Sequence, residues 1–83
     1  MLMENQAIAI AHIHVPVKRK KTLDPARVDE IAESMLEEGQ RMPILVRPDG
    51  ERFVLVEGLH RLEALKALGE ETIMASVVHP RPK

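Results

Sequence analysis

The hydrophobic and polar positions of this 83-residue chain change period several times, and each change marks an element. Residues 7–17 are apolar and partly alternating, with Ile8 and Ile10 in one parity and Ile13 and Val15 in the other. A strand with such a parity change predicts a bulge, or burial on both faces. A helical period follows: Val28, Ile31, Ala32, Met35 and Leu36 recur at i, i+3, i+4, i+7 and i+8. Asp29, Glu30, Glu33, Glu37 and Glu38 fall mostly on the other side of that helix. Thr22 and Asp24 suit its start, Pro25 its first position and Gly39 its end. Residues 44–47 and 52–57 read as two strands joined by Pro48-Asp49-Gly50-Glu51, whose Asp-Gly step favours a hairpin. Val54, Leu55 and Val56 give way, across Gly58, to a second helical stripe of Leu62, Leu65 and Leu68 that Gly69 terminates. Residues 73–78 form a last strand.

The order β-α-β-β-α-β predicts an α+β fold: one small domain with a mixed four-stranded sheet and two packed helices. Residues 1–6 are expected to be a flexible terminus, 7–78 the domain, and 79–83, with Pro80 and Pro82, a tail. The absence of cysteine excludes disulfides, zinc–thiolate sites and a thiol nucleophile in this chain. Phe53 is the sole aromatic residue, which removes the stacking platforms of single-stranded nucleic-acid binders. A net charge of −1 supplies no global field toward DNA or a membrane surface. No apolar run reaches transmembrane length, so a cytoplasmic protein is the expectation.

Candidate chemistry gathers at the Gly58 switch. His60 and Arg61 fall in the first helical turn, beside unpaired backbone N–H groups and the positive end of the helix dipole. That is a recipe for an anion site, although the same junction also serves as a purely structural turn. Lys18-Arg19-Lys20-Lys21 is the one dense charge run, either a solvated loop or a functional patch. His12 and His14 would share one side of the first strand, as a metal pair without a third ligand or as ordinary sheet histidines.

Several segments together carry a family resemblance: Thr22-Leu23-Asp24-Pro25-Ala26-Arg27-Val28, the Gly39-to-Ile44 connector, Glu57-Gly58-Leu59-His60-Arg61 and Glu71-Thr72-Ile73. In this order they resemble the ParB/sulfiredoxin superfamily over residues 8–78. Sulfiredoxins carry a catalytic cysteine in a Gly-Gly-Cys-His-Arg motif. Glu57 and Leu59 replace its first glycine and its cysteine here, so sulfiredoxin activity is not expected. ParB N-terminal domains bind CTP through a Gly-Glu-Arg-Arg motif and a Gly-x-x-x-Pro-Ile connector. Gly58-Leu59-His60-Arg61 and Gly39-Gln40-Arg41-Met42-Pro43-Ile44 occupy those places. A third branch, the free-serine kinases, shares the His-Arg motif but places its catalytic acid near the first strand, where no carboxylate lies between Ile8 and Leu23.

The resemblance implies a nucleotide-binding domain for ATP or CTP with Mg2+. Triphosphate oxygens would lie against Gly58, Leu59, His60 and Arg61, with Lys20, Lys21 and Thr22 as a second phosphate-contacting loop. Gly39, Gln40, Arg41 and Pro43 would lie near ribose or base. Glu57 and Glu63 are the nearby carboxylates for any catalysis, and Glu63 is a magnesium ligand or simply a surface residue. The expected function is a nucleotide switch or slow NTPase. The alternatives are a phosphotransferase of the amino-acid-kinase kind and a partition-type, DNA-associated accessory protein. Expected partners are the nucleotide and another protein or a second copy, with no membrane. Sequence-specific DNA binding is not expected of this chain alone, because no recognition helix follows the domain within it.

Overall fold

Ile8, Ile10, Ile13 and Val15 all lie in one hydrophobic core, at 4–8% exposure. A straight strand cannot achieve this, because alternate side chains leave on opposite faces. The computed structural model, which describes residues 2–40 and 42–79, shows how the conflict is met. The chain runs through β1 (Leu2–Ala9), a single 3-10 turn (Ile10–His12) and β2 (Ile13–His14). The turn resets the parity, so both halves turn their isoleucines to the same interior. The one strand expected over residues 7–17 is thus two, and the sheet has five strands instead of four.

β1 also begins earlier than its apolar pattern suggests. It pairs antiparallel with the last strand, β5 (Thr72–His79), from Leu2↔His79 to Ala9↔Thr72. The segment read as a flexible terminus therefore contributes most of an edge strand, which pairs through its backbone and needs no hydrophobic alternation. His79 closes β5 rather than opening a tail, and residues 80–83 lie outside the described ones. His12 sits in the 3-10 turn and His14 in β2, so they do not share one side of a strand. Among the described residues there is no group of three side chains suited to a metal ion.

The remaining elements are α1 (Val17–Lys20), α2 (Pro25–Glu38), β3 (Ile44–Asp49), β4 (Arg52–Glu57) and α3 (Leu59–Ala67). Of the basic run, read as a solvated loop or a functional patch, Lys18, Arg19 and Lys20 lie in the short helix α1 and Lys21 follows it. Asp24 caps α2, its Oδ1 accepting the Ala26 N–H at 3.1 Å, with Pro25 at the first helical position. The sheet order is β1-β5-β3-β4-β2. β1–β5 and β3–β4 are antiparallel, whereas β3–β5 and β2–β4 are parallel.

β1 and β2 occupy opposite edges, yet only Ile10–His12 joins them. The steps from Ala9 to Ile13 reach at most about 14 Å. That is less than the roughly 19 Å across a flat sheet of this order. The sheet must curl, and its concave side holds Ile44, Val46, Leu55, Ile73, Ala75 and Val77. α3 drives Leu59, Leu62 and Leu65 into that hollow. α2 rests mainly on α3, which narrows its covered face: Val28 is buried, but Leu36, expected in the apolar stripe, is 72% exposed. No described helix is long and apolar enough to cross a membrane.

Candidate functional site

Gly58 alone turns the chain from β4 into α3, with φ +110° and ψ 30°. The first intrahelical bond runs from the Leu62 N–H to the Gly58 carbonyl at 3.0 Å. The N–H groups of Leu59, His60 and Arg61 therefore have no acceptor within the helix. Leu59 buries its side chain in the core and offers only its backbone to the surface. His60 is half-buried, and its Nε2 accepts the Asp24 N–H at 3.0 Å. A neutral ring in this arrangement carries its proton on Nδ1, so one N–H remains to donate. His60 thereby ties the start of α3 to the cap of α2.

A pocket of about 230 Å³ opens at this junction, bordered by Arg19, Thr22, Arg27, Glu57, His60 and Arg61. The Arg19 Nη2 donates to the Val56 carbonyl, fastening α1 to the end of β4. The Thr22 hydroxyl donates to the Arg19 carbonyl at 2.7 Å and closes that turn. Three arginines and one glutamate thus border the pocket. Beyond Arg61 the surface continues into a compartment of about 240 Å³ lined by Ile31, Ser34, Met35, Gly39 and Met42. A further hollow of about 250 Å³ adds Pro43, Leu45 and Ser76. Arg61 borders all three, and its Nη2 lies 3.7 Å from the Met42 sulfur. The groove is cationic at one end and apolar along Ile31, Met35 and Met42.

The ParB N-terminal domain family matches residues 3–82. The chain belongs to that family. A probable chromosome-partitioning protein ParB from Campylobacter jejuni is 39% identical over 62 residues, covering 75% of this chain and 22% of its own length. The chain thus spans about a fifth of that relative. Sulfiredoxin from Arabidopsis thaliana superposes with a TM-score of 0.83 at 26% identity, over 93% of this chain and 86% of its own. A C-terminally truncated ParB from Caulobacter crescentus, solved with CTP-γ-S, gives 0.75 at 21% identity, over 96% of this chain and 46% of its own. The fold is that of the ParB/sulfiredoxin superfamily.

Within this ParB N-terminal domain the expected site residues divide. Gly58, Leu59, His60, Arg61 and Thr22 come together at the pocket. Lys20 and Lys21 are exposed and do not line it; Arg19 and Arg27 stand there instead. Arg19 lies three residues before Thr22, one helical turn away, and Arg27 lies in the first turn after the Asp24 cap. Those spacings are the signal in the sequence that could have selected them. Glu57 borders the pocket, whereas Glu63 does not: its Oε1 pairs with the Lys66 Nζ at 3.5 Å in a shallow hollow against Pro25 and Val28. The placement of Glu63 as a magnesium ligand is therefore unsupported by the geometry.

Gly39 and Pro43 border the groove, and Arg41 lies outside the described residues. Gln40 is committed elsewhere. Its Oε1 accepts the Met74 N–H, and its Nε2 donates to the Met74 and Met42 carbonyls, all at 2.9 Å. The amide stands in for a backbone partner of β5 just before β3 begins, and it holds the connector that borders the groove. Gln40→Ala is expected to destabilise the domain by about 0.5–1.5 kcal/mol for each hydrogen bond to β5 that it removes. Urea unfolding read by circular dichroism checks this; an unchanged midpoint would mean that water replaces the amide without cost.

Proposed function

We propose that this domain binds a nucleoside triphosphate, with the phosphates at the start of α3 and the sugar and base along the groove beyond Arg61. One observation carries the reading: Arg19, Arg27 and Arg61, from three helices, border one pocket at the first turn of α3, whose N–H groups are unpaired within the helix. Guanidinium forks match phosphate oxygens, and a helix N-terminus adds aligned dipoles. The Nδ1–H of His60 is a further donor. Ile31, Met35 and Met42 offer an apolar surface for a base. The Caulobacter ParB of the same fold was solved with CTP-γ-S, which favours CTP, and ATP is the other candidate.

Mg2+ would arrive with the nucleotide, held mainly by phosphate oxygens and water. Glu57 is the carboxylate at hand for the ion or for any hydrolysis. Sulfiredoxin chemistry is outside this chain's means, since it has no cysteine. A polyanion held by Arg19 and Arg27 on one side and Arg61 on the other would draw α1 and α2 onto α3. Binding would thus act as a conformational switch, which suits a partition-protein domain. The test is thermal unfolding with ATP, CTP, GTP and UTP, each with and without Mg2+. A ligand at a hundred times its Kd stabilises by about 2.7 kcal/mol, a shift of about 10–20 °C for a domain of this size. Selective stabilisation by one nucleotide is the expected result, and no shift with any of them would overturn the proposal.

A further inference from the structure

We infer that the free edge of β1 pairs with the same edge of a second copy of this chain, joining two curled sheets across a two-fold axis at Asn5 or Gln6. The argument starts from hydrogen-bond parity. The Ile10 N–H donates to the Glu71 carbonyl at 2.9 Å, and these two residues continue the β1–β5 register beyond Ala9↔Thr72. They are therefore a hydrogen-bonded pair, and such pairs alternate with non-bonded ones along an antiparallel ladder. Leu2, Glu4, Gln6 and Ile8 direct their backbone groups to β5, while Met3, Asn5 and Ala7 direct theirs outward. The Gln40 bonds agree independently: Met74, opposite Ala7, turns its N–H and C=O away from β1 and toward Gln40 at 2.9 Å.

The two edges of the sheet differ. β2 is 2 residues long, and Pro16 follows soon after it. Such an edge is a poor template for pairing. β1 is 8 residues long, and from Leu2 to Ala9 it has no proline, lysine, arginine or glycine. Proline and charged side chains, lysine above all, usually blunt an open edge, and Glu4 is the one such residue in β1. The strand is also compatible with itself. Centred on Asn5, a two-fold pairing sets Met3 against Ala7 of the second copy; centred on Gln6, it sets Asn5 against Ala7. Both registers bring outward backbone groups together. In the first, Glu4 meets the second copy's Gln6, and in the second its Ile8. Glu4 is the strand's one charged residue, so no like charges oppose each other.

The test combines molar mass by sedimentation with amide hydrogen exchange by NMR, over a range of concentration. The mass is expected to rise from 9.4 kDa toward twice that value. The Asn5 and Ala7 amides should gain protection in parallel, while those of Gln6 and Ile8 are protected throughout. Ala7→Pro removes an outward N–H that the β1–β5 ladder does not use, so that variant should keep its circular dichroism and stay monomeric. Should the proline disturb folding, the exchange pattern of the unaltered chain decides alone. A chain that is monomeric into the millimolar range would overturn the inference. So would a dimer in which Asn5 and Ala7 exchange as fast as in the monomer, or a folded Ala7→Pro variant that still dimerises.

Discussion

Gly58→Ala is expected to remove about half or more of the domain's folding stability. A Cβ at this position would lie 2.5 Å from Ile44 Cγ2, 2.9 Å from its Cβ and 3.2 Å from its Cα. The last of these is backbone of a strand whose residue is 0% exposed, so the neighbour has nowhere to move. Overpacking of this kind costs about 1–3 kcal/mol. The φ of +110° adds a further 1–3 kcal/mol or so for a residue with a side chain. The sum, about 2–6 kcal/mol, is set against roughly 4–12 kcal/mol for a chain of this length. Gly50→Ala is the matched control: its φ is +63°, but nothing lies within 4 Å of the added carbon. It should lose only the backbone share, about 1 kcal/mol. Urea midpoints of the two variants test the difference. Equal midpoints would show that β3 yields to the added methyl and that the close approach is not a constraint.

Arg61→Ala should weaken nucleotide binding about 10- to 150-fold while leaving unfolding without nucleotide nearly unchanged. Arg61 borders the cationic pocket and both compartments beyond it, so its guanidinium faces every part of the proposed ligand. Its guanidinium makes only a weak contact with the Met42 sulfur among the described residues, and alanine suits a helix better than arginine. A charge-assisted hydrogen bond contributes about 1.5–3 kcal/mol, which converts to the stated range. Lys20→Ala is the informative partner, since Lys20 is exposed outside the pocket. Its loss should change affinity only by screened long-range attraction, about twofold at physiological salt. Calorimetric titration of both variants decides the matter. A larger loss from Lys20→Ala would restore the basic run as the phosphate loop and displace Arg19 and Arg27 from that role.

Both α2 and α3, the hairpin and the sharp turn at Gly58 were legible in the sequence because each is local. A period of 3.6, a capping Asp24-Pro25, an Asp-Gly step and a glycine between strand and helix all act within a few residues. The parity change between Ile10 and Ile13 was legible too, but its outcome was not. Whether it means a bulge, a two-faced strand or a turn depends on where β5 and β4 lie. The first half of β1 left no signal, because Glu4 and Gln6 pair through backbone with Val77 and Ala75, and Asn5 lies opposite Ser76, all at the far end of the chain.

The site divides along the same line. The sequence by itself determined that a glycine turn would expose the first N–H groups of α3, with His60 and Arg61 beside them. Tertiary structure alone decided which cations join them. Arg19 reaches the pocket because its guanidinium fastens α1 to Val56, and Arg27 because α2 packs on α3; both facts depend on residues distant in the chain. It likewise drew Gln40 to Met74 and turned Glu63 toward Lys66. The conformation of helices, caps and tight turns is governed by neighbours in sequence. The direction of a long polar side chain is governed by whatever packing brings within its reach, and a curled sheet of five strands sets that only once it has closed.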